Sequence, residues 1–194
     1  HGAVDPSKRI VGEGGLVVND GMLTLSAGNT YKGTTDVTGG TLVLHGTNTG
    51  GGALTVASGA RLGGNGSTTA EVTIQSGGKL LVNISDWTGA GGTGFTDLDV
   101  ASLNLTGATW TLDVTSGTGF ANFTETAIAT FPILNATVGG ISGFNAGSVT
   151  VVPDGGFTGT GTWSVQQPGT SLELVYTPTG GGSPFDTWAL AKGL

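Results

Sequence analysis

The chain has 194 residues, with 39 glycines, six Lys or Arg, 13 Asp or Glu and no cysteine. Its net charge of −7 and scattered cations exclude the basic stripe that nucleic acid or an anionic membrane needs, and the missing cysteine excludes disulfides and thiolate metal sites. The glycines follow no Gly-X-Y period and alternate with regular Val, Leu, Ile and Thr, which excludes collagen and argues against a disordered linker; no apolar run reaches the length of a membrane span.

The sequence opens His1-Gly2-Ala3-Val4 without an initiating Met, which reads as a processed or trimmed segment of a longer precursor. Residues 1–13 form an N-terminal extension, and their stretch 4–11 is suited to cover a strand edge or to be donated to a neighbour.

Residues 14–126 carry the repeats. A glycine followed by alternating apolar and polar positions recurs as Gly21-Met22-Leu23-Thr24-Leu25, Gly40-Thr41-Leu42-Val43-Leu44 and Gly52-Ala53-Leu54-Thr55-Val56. Looser copies follow at Glu71-Val72-Thr73-Ile74 and Gly78-Lys79-Leu80-Leu81-Val82. Each is one short strand whose leucines and valines point to one face and whose threonines point to the other. Between them lie turn clusters such as Thr38-Gly39-Gly40 and Ala57-Ser58-Gly59, where glycine supplies positive φ. One rung buries too little apolar surface to stand alone, so the pattern predicts an all-β solenoid in which stacked rungs make the core.

The stretch Gly21-Met22-Leu23-Thr24-Leu25-Ser26-Ala27-Gly28-Asn29-Thr30-Tyr31-Lys32-Gly33-Thr34-Thr35-Asp36-Val37-Thr38-Gly39-Gly40-Thr41-Leu42 strongly resembles the autotransporter-associated β-strand repeat. That family's pattern runs Gly-x-Leu-x-Leu, a Gly/Asn-x-Tyr-x-Gly corner, Thr-x-Val and Gly-Gly-x-Leu. Two positions depart from it: Ser26-Ala27-Gly28 replaces the usual Ser-Gly, and Thr34 replaces the second corner glycine. The resemblance implies a right-handed parallel β-helix in large secreted or surface-displayed bacterial proteins, and it implies no catalytic residues.

Farther along, Leu98-Asp99-Val100, Leu103-Asn104-Leu105 and Trp110-Thr111-Leu112-Asp113-Val114 continue the alternation across larger loops. Residues 127–177 are read as the last rungs and a C-terminal cap. Within them, 127–134 form a near-continuous apolar run fit for a buried strand, and 162–165 with 171–176 form a hairpin across Gln166-Gln167-Pro168-Gly169. Phe131, Phe144, Phe157, Trp163 and Tyr176 are placed over the last rung, because an open solenoid end exposes unpaired edges. Residues 178–194 are read as a Gly/Pro linker and a short helical tail capped by Asp186.

Candidate sites are few. Gly91-Gly92-Thr93-Gly94-Phe95-Thr96-Asp97-Leu98-Asp99 approximates a calcium-binding nonapeptide, with Asp97 and Asp99 as the calcium candidates; the carboxylate falls one position late and no second copy follows. Trp87 and Trp110 are candidates for stacking on sugar rings, with packing as the competing role. Asp86, Asp97, Asp99 and Asp113 lie in neighbouring segments but meet only Arg9 and Arg61, so no catalytic or cofactor-binding residue is assigned. His45 reads as a surface histidine, and the Asn-x-Ser/Thr matches at Asn65, Asn83, Asn104, Asn122 and Asn135 read as chance.

The expected protein is therefore a non-catalytic structural module of a secreted or cell-surface bacterial protein, with no required cofactor. It would act as a rigid spacer, an adhesin stalk or a self-assembling fibre subunit. Its partners would be further copies or the neighbouring modules of a precursor. The alternatives are a carbohydrate- or host-surface-binding module and, behind it, a polysaccharide lyase or hydrolase.

Overall fold

The structure is a computed structural model that describes residues 8–116 and 120–179. The opening residues 1–7 of the extension and nearly all of the linker and helical tail lie outside the described residues.

The described chain is all-β, apart from a single 3₁₀ turn at Ala146–Ser148. Its strands fall into parallel ladders. One ladder stacks β1 (Leu16–Val18), β3 (Thr35–Val37), β6 (Leu54–Val56), β9 (Glu71–Ile74) and the later parts of β11 (Leu98–Asn104) and β13 (Ala129–Ser142). A second stacks β2 (Met22–Leu25), β4 (Thr41–Leu44), β7 (Arg61–Gly64), β10 (Lys79–Asn83), β12 (Trp110–Thr115) and β14 (Val149–Pro153). A third begins with the bridge of Asn29 to Asn48. It continues through β5 (Thr47–Asn48), β8 (Ser67–Thr68) and the early parts of β11 and β13. The chain visits the three ladders in one cyclic order.

Register follows the sequence repeat. Leu16 pairs with Thr35, nineteen residues on, and Leu54 with Val72, eighteen on. The residues that match in sequence therefore lie directly above one another, and like stacks on like. Val18, Val37, Val56 and Ile74 form one buried column, and Leu42, Leu62, Leu80 and Leu112 another. Each buried Val, Leu or Ile stabilises by about 1.5–3 kcal/mol relative to exposure, so the columns are the principal favourable term.

The corner between the first and second ladders is made the same way on every circuit. Gly21, Gly40, Gly59, Gly77, Gly107 and Gly143 all have positive φ, between 66° and 82°. A β-carbon at Gly40 would also strike the backbone of Asp20 and Gly21 in the circuit below. Glycine is needed there both for its dihedral and for the close stacking of backbones.

Spacing changes in the second half. Leu80 pairs with Leu112, thirty-two residues on, and Leu112 with Val151, thirty-nine on. Most of the added residues fall at one corner, between the second and third ladders, as the connections 84–97, 116–128 and 154–161. Earlier circuits cross that corner in two residues, from Leu44 to Thr47 and from Gly64 to Ser67.

At the far end the chain reverses. β15 (Thr162–Gln166) and β16 (Ser171–Thr177) form an antiparallel hairpin, and β16 pairs antiparallel with the early part of β13. The run 127–134 differs from the expected uniformly buried strand. Phe131, Ile133, Leu134 and Ala136 are buried while Thr130 and Pro132 are exposed. Pro132 sits opposite Glu173 beside a register shift, the kind of irregular position that tolerates proline in a strand.

Candidate functional site

Three polar clusters and one aromatic cluster punctuate the stack. The first is inside it. Tyr31, in the corner before β3, is 2% exposed, and its hydroxyl lies 2.5 Å from Thr35 Oγ1 and accepts from Asn48 Nδ2 at 3.0 Å. Asn29 Oδ1 accepts from the Ile10 amide at 2.9 Å, while its Nδ2 donates to the Ala27 carbonyl. Buried polar groups need such partners, so these bonds hold residues of three successive circuits in register.

The second is an ion ladder on the outer surface of β7, β10 and β12. Asp113 Oδ2 receives Arg61 Nε at 2.7 Å and lies 3.4 Å from Lys79 Nζ. Asp113 thus ties three strands together rather than joining the other acidic residues.

Asp97 and Asp99 do come together, through Asn135. Its Nδ2 donates to Asp97 Oδ1 at 2.8 Å and to Asp99 Oδ1 at 3.2 Å, and its Oδ1 accepts from Ser171 Oγ at 2.9 Å. Partial burial and then the neighbouring Asp99 charge push the Asp97 carboxyl above its usual range, and the Asn135 bond partly offsets this. Among the described residues, no group of three or more His, Cys, Asp or Glu side chains converges as a cation site would. Asp86 stands apart, accepting from Asn122 Nδ2 and the Thr88 amide, with the Asn122 bond chiefly lowering its pKa.

The two tryptophan candidates require a correction. Trp87 is 7% exposed and Trp110 is 2% exposed, so neither offers a ring face to a sugar. Trp110 begins β12 with its ring turned into the core. Trp87 is the centre of a cluster in the enlarged corner. Its ring meets those of Phe120, Phe123, Phe131, Phe157, Trp163 and Tyr176 at centroid distances of 4.7–6.3 Å. The long connections are thus anchored by an aromatic core of their own. Of the five expected capping aromatics, four belong to this cluster, whereas Phe144 packs against the main core elsewhere.

Glu125 latches the cluster from outside. It accepts from Tyr176 Oη at 2.6 Å and from both the amide and hydroxyl of Thr160, and the Gly161 amide donates to the same tyrosine at 2.7 Å. The Tyr176 bond chiefly holds the Glu125 carboxyl below its usual range, while burial chiefly raises the tyrosine. No motif marks Glu125, and the Asn-x-Thr match at Asn135 says nothing of its role; both roles depend on partners 51 and 36 residues away.

The two ends differ. Among the described residues, β1 and β2 pair on one side only, and Val11, Val17 and Met22 there are 56%, 64% and 69% exposed. The opposite end carries the β15–β16 hairpin, and β14 ends in Pro153. Because the Asp154 amide donates back to Val114, strand alternation turns Pro153 toward the free edge, where it has no N–H to offer.

Residues 17–44 match the family model of the passenger-associated-transport-repeat. The matched segment runs from within β1 to the end of β4, and includes the corner glycines Gly21 and Gly40 together with Asn29 and Tyr31. No curated protein matches the chain. The repeat suggests the passenger domain of an autotransporter, hence a secreted or surface protein, and it is a structural repeat rather than an enzyme family. No helix among the described residues is long and apolar enough to cross a membrane.

Proposed function

We propose that the chain is a right-handed β-solenoid module that serves as a rigid, non-catalytic spacer or adhesin stalk in a secreted or cell-surface bacterial protein. The observation that carries this reading is the repeated parallel register of two ladders, six strands deep, with a positive-φ glycine at the same corner of each circuit. Right-handed crossover is the rule for parallel connections of this kind. Continuous hydrogen bonding along the stack supplies stiffness without metal, disulfide or cofactor.

The spacer form is favoured over an end-stacking fibre. Pro153 and the hairpin blunt one end, so head-to-tail addition would lack a matching edge. The edges of β1 and β2, which pair on one side only among the described residues, are instead suited to a neighbouring module.

The test is deletion of one whole circuit, residues 54–71. Because Leu54 stacks beneath Val72, the cut brings β9 onto β3 and β10 onto β4 in the original register. A solenoid should remain folded, shorter and less stable, with an unchanged β-type circular dichroism spectrum and cooperative unfolding. An unfolded or aggregated deletion variant would reject the reading.

A second reading, binding of carbohydrate or a host surface, loses Trp87 and Trp110 as platforms. What supports it now is a polar-walled groove beneath the 84–97 connection.

A further inference from the structure

On the outer face of the second ladder, Val43, Gly63 and Leu81 lie in one row across β4, β7 and β10. A side chain at Gly63 would collide with Leu81, whose carbonyl oxygen would be 2.6 Å and Cβ 3.0 Å from it. Val43 and Leu81 are therefore the outward side chains of that row, and together they make an apolar floor. The 84–97 connection overhangs this floor, with Phe95 as an apolar wall and Thr93 at the tip, and leaves an open groove of about 200 Å³.

The polar wall is held in place. Asn65 Nδ2 donates to the Gly92 carbonyl at 2.5 Å, and Asn65 Oδ1 lies 2.5 Å from His45 Nδ1. A carbonyl can only accept, so the Gly92 contact fixes which end of the Asn65 amide faces His45. His45 Nδ1 must then carry the proton and donate to Asn65. In the neutral ring this leaves Nε2 with a free lone pair, ready to accept from a hydroxyl. Asn83 and Ser85 continue the same wall from the end of β10.

The lining holds no carboxylate, ammonium or guanidinium group, and the chain is acidic overall, so nothing here favours a charged ligand. At about 200 Å³ the groove falls below the roughly 300–1,000 Å³ of pockets that take drug-sized ligands, which suits a single sugar ring better than a peptide segment or a nucleotide. An apolar floor with hydrogen-bonding walls matches the two faces of a pyranose.

We infer that this groove binds a single neutral sugar ring, with Val43, Leu81 and Phe95 against its apolar face and His45 Nε2 accepting from a ring hydroxyl. The inference rests on the second reading above and names its ligand class. A ligand of about a dozen heavy atoms in so open a site binds with a dissociation constant on the order of millimolar.

The experiment is a two-dimensional amide NMR titration of the whole chain with methyl glycosides of glucose, galactose, mannose and N-acetylglucosamine, and with glucuronate as the charged control. At least one neutral glycoside should give saturable shifts at Asn65, Thr93 and Phe95, and glucuronate should give none. Thr93→Trp, which fills the groove from an exposed position, and His45→Ala should each weaken binding at least tenfold without altering the rest of the spectrum. Glycoside shifts elsewhere on the chain would overturn the groove and leave the second reading standing. No saturable shift with any sugar would overturn both.

Discussion

Tyr176, on the last strand, donates its buried hydroxyl to Glu125 at 2.6 Å across 51 residues of chain, and so ties the 116–128 connection to the closing hairpin. The pair gives the cap a pH signature. Glu125 titrates below its usual range when folded, so its contribution is present above the unfolded carboxylate value and is lost as pH falls through the lowered folded value. Tyr176 is raised, so its contribution is present below the usual tyrosine value and is lost as pH rises through the raised folded value. Tyr176→Phe should lower the melting temperature at neutral pH and flatten the stability profile at both its acid and alkaline ends. Thermal melts from pH 2 to about 11 check this against the reference values of the two groups.

Corner glycines should split into two grades. Gly107 has φ of 70° with open space around an added Cβ, whereas Gly40 has φ of 67° and backbone in the way. Gly107→Ala should cost about 1–2 kcal/mol, the left-handed penalty alone. Gly40→Ala should cost distinctly more, because the circuits must separate. Urea unfolding of the two variants measures the difference, and equal values would contradict the stacking argument.

Trp87→Ala should be the most damaging single change in the second half. It empties a site bordered by six aromatic rings, at a cost of about 3–5 kcal/mol for a buried Trp. Amide exchange should accelerate in 84–97, 116–128 and 154–161 and change little in β2, β4 and β7, since each circuit contacts chiefly its neighbours.

Asp97 and Asp99 share an Asn135 donor rather than forming part of a wider acidic cluster. Removing metal with EDTA, or adding millimolar calcium, should leave the melting temperature unchanged. Because Asp97 is raised, its folded form favours the proton, and its penalty at neutral pH fades as pH falls through that raised value. Asp97→Asn keeps an acceptor for Asn135 and should raise stability at pH 7 but not at pH 3.

Much of the first half was legible in the residues. The glycines at 21, 40 and 59 and the alternating leucines predicted strands of the right length in the right places. The Gly-Asn-Thr-Tyr corner carried the family resemblance that the match over 17–44 bears out. Less could be read after Asn83, because longer connections break the period and only a packed core shows where they lie. Trp87 illustrates this. In sequence it sits in a polar, glycine-rich loop, and its burial depends on phenylalanines from two other connections.

By itself, then, the sequence determined the rung: which residues turn, which point inward, and that neighbouring rungs must stack to bury their leucines. Those are local properties, set by φ at glycine and by a two-residue alternation. The tertiary structure decided what local rules leave open. It gathered the long connections at one corner and closed that corner with an aromatic core. It also turned Pro153 to the free edge and set His45 and Asn65 beside the overhanging 84–97 connection. These outcomes depend on contacts between residues tens of positions apart, and such contacts form only once the stack has put them in register.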